Sequence, residues 1–181
     1  MTRFELTPEI VGELRDVFRL RYFVETGIGQ LDARAYHLAP LFEHAWAIEL
    51  DLETCVRARV KAAESVPNLT IYQGSSDSWL RLLCPTLAGP ALYWLDAHWT
   101  GGGEPPDVEC PLLAELEAIG QNYRGDVVLI DDARQFLGTP SPPHNPAKWT
   151  TLEQIRAAVT WGSLLVDAGK DLIAIYPEAT P

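Results

Sequence analysis

Little in this sequence ties it to an oxidising compartment, a membrane or a nucleic acid. Three cysteines, Cys55, Cys84 and Cys110, are scattered and odd in number. They form neither a disulfide framework nor a zinc-type pair, so reduced thiols in a reducing compartment are expected. Basic residues are scarce: 14 Lys and Arg stand against 25 Asp and Glu, a formal net charge of −11. That field repels a phosphate polymer and no local Lys/Arg cluster offsets it, so nucleic acid is not the expected partner. A small-molecule substrate or a cationic partner is easier to accommodate. No apolar run approaches the roughly 18 residues of a membrane span. The opening Met1-Thr2-Arg3-Phe4-Glu5-Leu6-Thr7-Pro8 has no apolar core of signal-peptide type. A cytoplasmic protein without membrane contact is therefore expected. No internal repeat and no low-complexity block interrupts the chain.

What the sequence does contain is the composition of a packed domain. Hydrophobic residues make up 47% of 181, too many for a disordered chain and enough for one core without staples. The expected organisation is a single domain over 1–181, with a helical extension over 1–20 and a core over 21–177. Short β-prone runs alternate with helical stretches. A helix near Pro8–Arg19 precedes the run Tyr22-Phe23-Val24. A helix over Ala33–Leu41 leads to Ala45–Glu49, and a helix over Leu52–Ser65, stopped by Pro67-Asn68, leads to Leu69–Tyr72. A helix near Asp77–Leu83 precedes Ala91–Leu95, and one over Pro111–Ile119 precedes Asp126–Ile130. A last helix over Leu152–Thr160 is followed by Ser163–Val166 and Leu172–Tyr176. Near-continuous apolar strands alternating with helices predict a doubly wound α/β fold with a mostly parallel sheet. The last two runs are too close for a crossover and predict a hairpin with one antiparallel strand. The irregular stretches His98–Cys110 and Gly138–Trp149 each follow a strand end, so both should meet over the rim where open α/β sheets bind ligands.

Strand ends carry the candidate chemistry. Glu25-Thr26-Gly27-Ile28-Gly29 sets an acid before two glycines, which allow a tight turn and close approach of a ligand to the main chain. The acid disfavours a pyrophosphate there and suits a cofactor with a cationic amino group. A plain strand-to-helix turn is the alternative reading. Glu49, 24 positions after Glu25, stands where dinucleotide folds grip ribose hydroxyls; a solvated strand-end acid is the alternative. Gly74-Ser75-Ser76 would let a flat ring lie close, with hydroxyls at its edge. Asp96, Asp131 and Asp132 end adjacent strands, and carboxylates so gathered raise a pKa or demand a cation such as magnesium.

The order Val-Glu-Thr-Gly (24–27), Ile-Glu-Leu (48–50), Gly-Ser-Ser (74–76), Trp-Leu-Asp-Ala-His-Trp (94–99), Glu-Cys-Pro-Leu-Leu (109–113) and Leu-Ile-Asp-Asp-Ala-Arg (129–134) resembles the class I S-adenosylmethionine-dependent methyltransferases. More narrowly, it is similar to a small bacterial subgroup with a Leu-Asp-Ala-His-Trp strand end. The resemblance runs from about Tyr22 to Tyr176. It implies a three-layer Rossmann-like methyltransferase fold with seven strands, the last antiparallel through a C-terminal hairpin. It also implies S-adenosylmethionine as cofactor. Glu25, Gly27 and Gly29 would surround its methionine part, with Glu25 facing the ammonium and Thr26 in the same turn. Glu49, with Leu50 beside it, would accept from the ribose; Gly74, Ser75 and Ser76 would lie beside the adenine; Asp96 would border the transferable methyl group. By analogy with metal-dependent catechol-type members, Asp96, Asp131 and Asp132 would hold Mg2+. The chain departs from the family pattern at Gln30-Leu31, where many members have a third glycine, at Ser75, where many have Asp, and at Asp132, where the catechol type has Asn.

Among the remaining candidates, His98 is read either as a general base on an acceptor hydroxyl or as a loop anchor. Asp96 and His98 form the expected catalytic pair. Trp99 and Trp149 are read as cover for a substrate or as loop anchors, Trp46 and Trp94 as core. Arg134 is either a substrate-orienting cation or the counterion of the acid pair. His37, His44 and His144 have no partner in spacing and read as structural or exposed. Small-molecule methyl transfer, most naturally to oxygen, is the leading expectation. A methyltransferase-like binding module without turnover and a nicotinamide-dependent oxidoreductase are the rivals, and a homodimer is left open.

Overall fold

The apolar runs assemble, in a computed structural model that describes residues 4–29, 33–99, 101 and 106–178, into one seven-stranded sheet. Helix α1 (Pro8–Phe18) starts where Thr7 accepts from the Ile10 N–H and Pro8 takes the first turn, and ends where Arg19 turns left-handed. Strand β1 (Tyr22–Thr26) follows. Helix α2 (Ala35–Leu38) is shorter than its sequence suggests. Its continuation over Ala39–Leu41 tightens into a 3-10 turn, as expected where Pro40 supplies no amide hydrogen for an α-type bond. Strand β2 (His44–Glu49), helix α3 (Leu52–Ser65), strand β3 (Leu69–Gln73), helix α4 (Ser76–Leu83) and strand β4 (Ala91–Leu95) come next. Helix α5 (Leu112–Gly120), strand β5 (Val127–Ile130), helix α6 (Leu152–Ala158) and strands β6 (Ser163–Asp167) and β7 (Leu172–Tyr176) complete the chain. Caps mark the boundaries: Asp51 accepts from the Thr54 N–H at the start of α3, and Thr151 and Gln154 form a capping box at α6.

The strand order is β3-β2-β1-β4-β5-β7-β6. The first five strands pair in parallel, and β7 runs antiparallel to both β5 and β6. The α/β class and the closing hairpin are thus as the sequence predicts. Alternate residues of each strand enter different cores. Phe23, Ala45, Ala47, Leu92, Trp94 and Leu129 pack beneath α1, α2 and α3. Val24, Ile48, Tyr93, Leu95, Val128 and Ile130 pack against α4, α5 and α6. All of β4 and β5 is buried, which is why those strands read as unbroken apolar runs. Each large side chain so buried contributes on the order of 2 kcal/mol.

The chain order reverses between β1 and β4, both of which pair with neighbours that run outward to opposite edges. This is the switch point beyond whose strand ends a crevice opens. The β1 and β4 termini stay in register past the strands, since the Asp96 N–H donates to the Thr26 carbonyl and the Asp131 N–H to that of Leu95. Among the described residues no helix is long and apolar enough to cross a membrane.

Candidate active site

A cavity of about 730 Å³ lies over these strand ends. Its wall gathers Gly27 and Gly29 after β1, Glu49 and Leu50 after β2, Gly74, Ser75 and Ser76 after β3, and Asp96 and His98 after β4. Asp132, beyond β5, also lines it, as do Arg34 and Trp99. Its volume suits a ligand of nucleoside size or larger.

Two glycines are required for different reasons. A Cβ on Gly27 (φ +80°) would lie 2.4 Å from the Asp96 carbonyl oxygen, so β1 and β4 can approach this closely only without one. Gly29 (φ +62°) has open space around it, and only its left-handed backbone calls for glycine. Glu49 holds the turn. Its Oε2 accepts from the Ile28 N–H (2.9 Å) and the Gly29 N–H (3.2 Å), and its Oε1 from the Asp51 N–H (2.8 Å). At the far side the Ser75 hydroxyl bonds Asp77.

Two expected cofactor contacts are corrected. Glu25 is 1% exposed and does not line the cavity. Its carboxylate accepts from the Arg34 N–H (3.0 Å) and the Ala35 N–H (2.9 Å), so it anchors the start of α2 instead of facing a ligand's ammonium. Burial pushes this carboxyl up to about 7, against the pull of the two amides. Thr26 is likewise fully buried and outside the cavity wall. Behind the wall stands a residue the sequence did not single out, Glu115 of α5, 1% exposed. Burial raises its carboxyl to about 7, with the hydroxyls of Ser76 and Thr26 opposing. Glu115 and the Thr26 and Ser76 hydroxyls thus form a buried polar group behind the wall. Gln30 and Leu31 lie outside the described residues.

The acid end is organised around His98, which is 9% exposed. Its Nε2 lies 3.0 Å from Asp132 Oδ2 and its Nδ1 3.7 Å from Asp96 Oδ1. Asp132 adopts a left-handed backbone (φ +56°), uncommon for a non-glycine residue and often found at functional sites. Its other oxygen accepts from Arg134 (2.8 Å), which also pairs with Asp171. Arg134 is thus a counterion of Asp132 and Asp171, and of the expected acid pair the other member, Asp131, faces Arg34 instead.

The expected magnesium triad does not assemble. Asp131 is fully buried and absent from the cavity wall. Its Oδ1 accepts from the Asp132 N–H and its Oδ2 lies 3.5 Å from Arg34. The residues that do converge are Asp96, His98 and Asp132, with ligand atoms all within 4.8 Å of one another. Arg34 is the second residue the sequence left unnoticed. No sequence pattern marks it, and only the fold lays it over the Trp94 ring, 4.1 Å from its centroid, and against Asp131.

Burial disfavours a charged imidazole, but the Asp132 hydrogen bond and the charges of Asp96, Asp132 and Asp131 outweigh it and raise the His98 pKa. Burial also opposes ionisation of Asp132, yet His98 and Arg134 hold it far below the ordinary carboxylate range. Asp96 is raised to about 6 by burial, with His98 and Arg34 opposing and Asp131 and Asp132 adding.

The two rim loops meet as expected. The Asn145 N–H donates to Glu109 (3.0 Å), and the rings of Trp99 and His144 pack edge to face at 5.6 Å. Trp149 is an anchor rather than a cover: it is buried, stacked on Phe136 and set against His98. Trp99 lines the cavity. All three cysteines are buried free thiols.

No protein-family model and no curated protein matches the chain. Solved structures do. An O-methyltransferase from Bacillus cereus, crystallised with S-adenosylhomocysteine (SAH), superposes with a TM-score of 0.64 at 16% identity, covering 93% of this chain and 80% of that one. A Podospora anserina methyltransferase bound to SAH gives 0.64 at 14% identity over 95% and 78%. The O-methyltransferase of tomaymycin synthesis from Streptomyces achromogenes, in complex with SAM, gives 0.59 at 14% over 94% and 79%. The chain shares the Rossmann-like fold of these solved methyltransferases.

Proposed function

We propose that the chain is an S-adenosylmethionine-dependent methyltransferase that modifies a small molecule, at oxygen. The observation that carries this reading is the cavity itself. It runs without interruption from the Gly27–Gly29 turn, past Glu49 and the Gly74–Ser76 corner, to Asp96. The residues fit the cofactor. Gly27 leaves room where a side chain would strike the main chain of Asp96 and Ala97, just past β4, and Ser76 lies on the wall with the buried Glu115 behind it. Leu50 offers an exposed apolar edge beside Glu49. The solved methyltransferases of the same fold named above carry SAH or SAM.

When bound, the cofactor supplies an electrophilic methyl on a sulfonium. The protein's task is then to align an acceptor, exclude water and remove one proton. Asp96 is suited to that proton: its carboxyl, raised to about 6, lines the cavity and is the most exposed of the three strand-end aspartates. His98 holds Asp96 from behind. Trp99 and the rim loops shield the acceptor. No step is assigned to magnesium, because Asp131 is turned into the protein and its oxygens face Arg34 and an amide.

The nicotinamide reading is disfavoured on different grounds from those the sequence suggests. Glu25 no longer bears on it, but Glu49 does. Its carboxylate already takes the Ile28 and Gly29 amides, the groups a pyrophosphate would need at this turn. The net charge of −11 supports a small acceptor over a nucleic acid. Calorimetry with pure protein and SAH tests the reading: saturable one-site binding is expected, and its absence sinks it. Methyl transfer to any member of a broad hydroxyl panel separates an enzyme from a cofactor-binding module.

A further inference from the structure

We infer that the outer edge of β6 pairs with the β6 edge of a second copy, antiparallel about a twofold axis at Leu165, so that one sheet runs through both chains. The sheet ends at β3 on one side and at β6 on the other, and the two edges are finished differently. At β3, Asn68 takes the Ala45 N–H and the Gly74 N–H bonds Glu49. Main-chain groups alternate in direction along a strand, so those of Ile71 and Gln73 point away from β2. Side chains take both of these outward carbonyls: Arg59 Nε donates to Ile71 (3.0 Å) and Trp79 Nε1 to Gln73 (2.9 Å). That edge is closed to another strand.

The β6 edge is not closed in this way. The Asp131 N–H bonds Leu95 on β4, so alternation turns Ile130 and Val128 towards β7. Their partners Ile173 and Ile175 face β5, which leaves Ala174 and its alternate neighbours to bond β6. Leu165 is thus bound to β7, while the main chain of Leu164 and Val166 points outward. No side chain among the described residues bonds it. The strand, Ser-Leu-Leu-Val-Asp, carries neither Lys nor Pro, and Leu165 is 55% exposed. Unpaired groups on an apolar edge strand are a template for another strand.

The occupant is a second copy because the edge is complementary to itself. With the axis at Leu165, Leu164 lies opposite the partner's Val166 and Val166 opposite the partner's Leu164. Both residues present their main chain outward, so each pair exchanges two hydrogen bonds. Leu165 meets the partner's Leu165 in the closer pair between them, where the exposed side chain is covered. Asp167, the one charged residue of the strand, falls opposite the partner's Ser163, so no acid faces an acid. This register also uses the full length of the strand. The net charge of −11 on each copy opposes association, so added salt should tighten it.

Sedimentation velocity and hydrogen exchange on the full chain test the pairing without reference to cofactor or methyl transfer. The wild type should be a dimer at micromolar concentration and tighter at higher salt. Its Leu164 and Val166 amides should be protected in the dimer and freed on dilution. Leu165→Lys and Leu165→Glu each set like charges across the axis and should each weaken the dimer on the order of 100-fold. Mixing the two variants should restore a dimer holding one of each, which a merely unfolding substitution would not do. If either variant misfolds, Leu165→Cys answers the question: mild oxidation should link two copies at this position, since the native cysteines are buried. The inference is overturned by a wild type that stays monomeric at high concentration and salt, or by a dimer that the charged variants leave intact. A Leu165→Cys protein that stays unlinked, or a monomer whose Leu164 and Val166 amides are protected at every dilution, overturns it equally.

Discussion

At one end of the crevice glycines, hydroxyls and main chain dominate the cavity wall, and the carboxylate that holds its turn, Glu49, is engaged by three amides. At the other end four carboxylates, two guanidinium groups and the His98 imidazole interlock through side-chain contacts. The first end derives its shape from backbone conformation, so its sensitivity is steric. The second derives its shape from charge, so its sensitivity is to pH and to the loss of a partner. On the proposed function, cofactor binding at the first end and proton removal at the second can thus be perturbed separately.

The largest effect expected comes from two carboxyls buried behind the cavity wall, outside both ends. Glu25 and Glu115 are both raised to about 7 in the folded protein. A carboxyl raised in this way binds a proton that the unfolded chain releases. Its presence costs nothing below about pH 4.5 and lowers stability progressively up to about pH 7, by on the order of 3 kcal/mol per group. His98 and Asp96, also raised, act in the same direction. Asp132, lowered, acts only in more acidic solution. Chemical denaturation should therefore give higher stability at pH 5 than at pH 8. Glu115→Gln should shrink that difference; an unchanged slope would remove Glu115 from the account.

Next in size is Gly27→Ala. Overpacking against the Asp96 carbonyl costs about 1–3 kcal/mol, with about 1 more for the left-handed backbone. Melting should drop and SAH binding should be lost. Glu49→Ala should weaken SAH about 10- to 100-fold in calorimetry while leaving the acid end intact, since it frees three amides. The smallest change is Gly29→Ala, where no atom is in the way and about 1 kcal/mol of backbone strain is all that is expected. If Gly29→Ala proved as damaging as Gly27→Ala, the steric reading of this end would fail.

The centre of the sheet was legible because β4 and β5 are buried on both faces. Apolar runs such as Ala91–Leu95 can do little else, and Leu52–Ser65 is a helix between a capping Asp51 and Pro67. The cavity wall was legible where the chain itself supplies it, at Gly27, Glu49, Gly74 and Asp96. Legibility failed where a side chain had two ways to turn. Glu25 and Asp131 stand at the strand ends the pattern indicates, but each is drawn inward by amides or by Arg34, 9 and 97 positions away. Asp132 reaches His98 through a left-handed backbone that no local pattern announces. Glu115 sits within a helix whose apolar spacing hides a buried acid.

Glu25 leaves one mechanical consequence. By taking the Arg34 and Ala35 amides from within β1, it fastens the start of α2 to the first strand. The acceptor is buried, so its removal leaves a helix start with two amides that nothing else is placed to satisfy. Glu25→Ala should therefore unfasten α2 from the sheet and lower the melting temperature, while the strand order is kept.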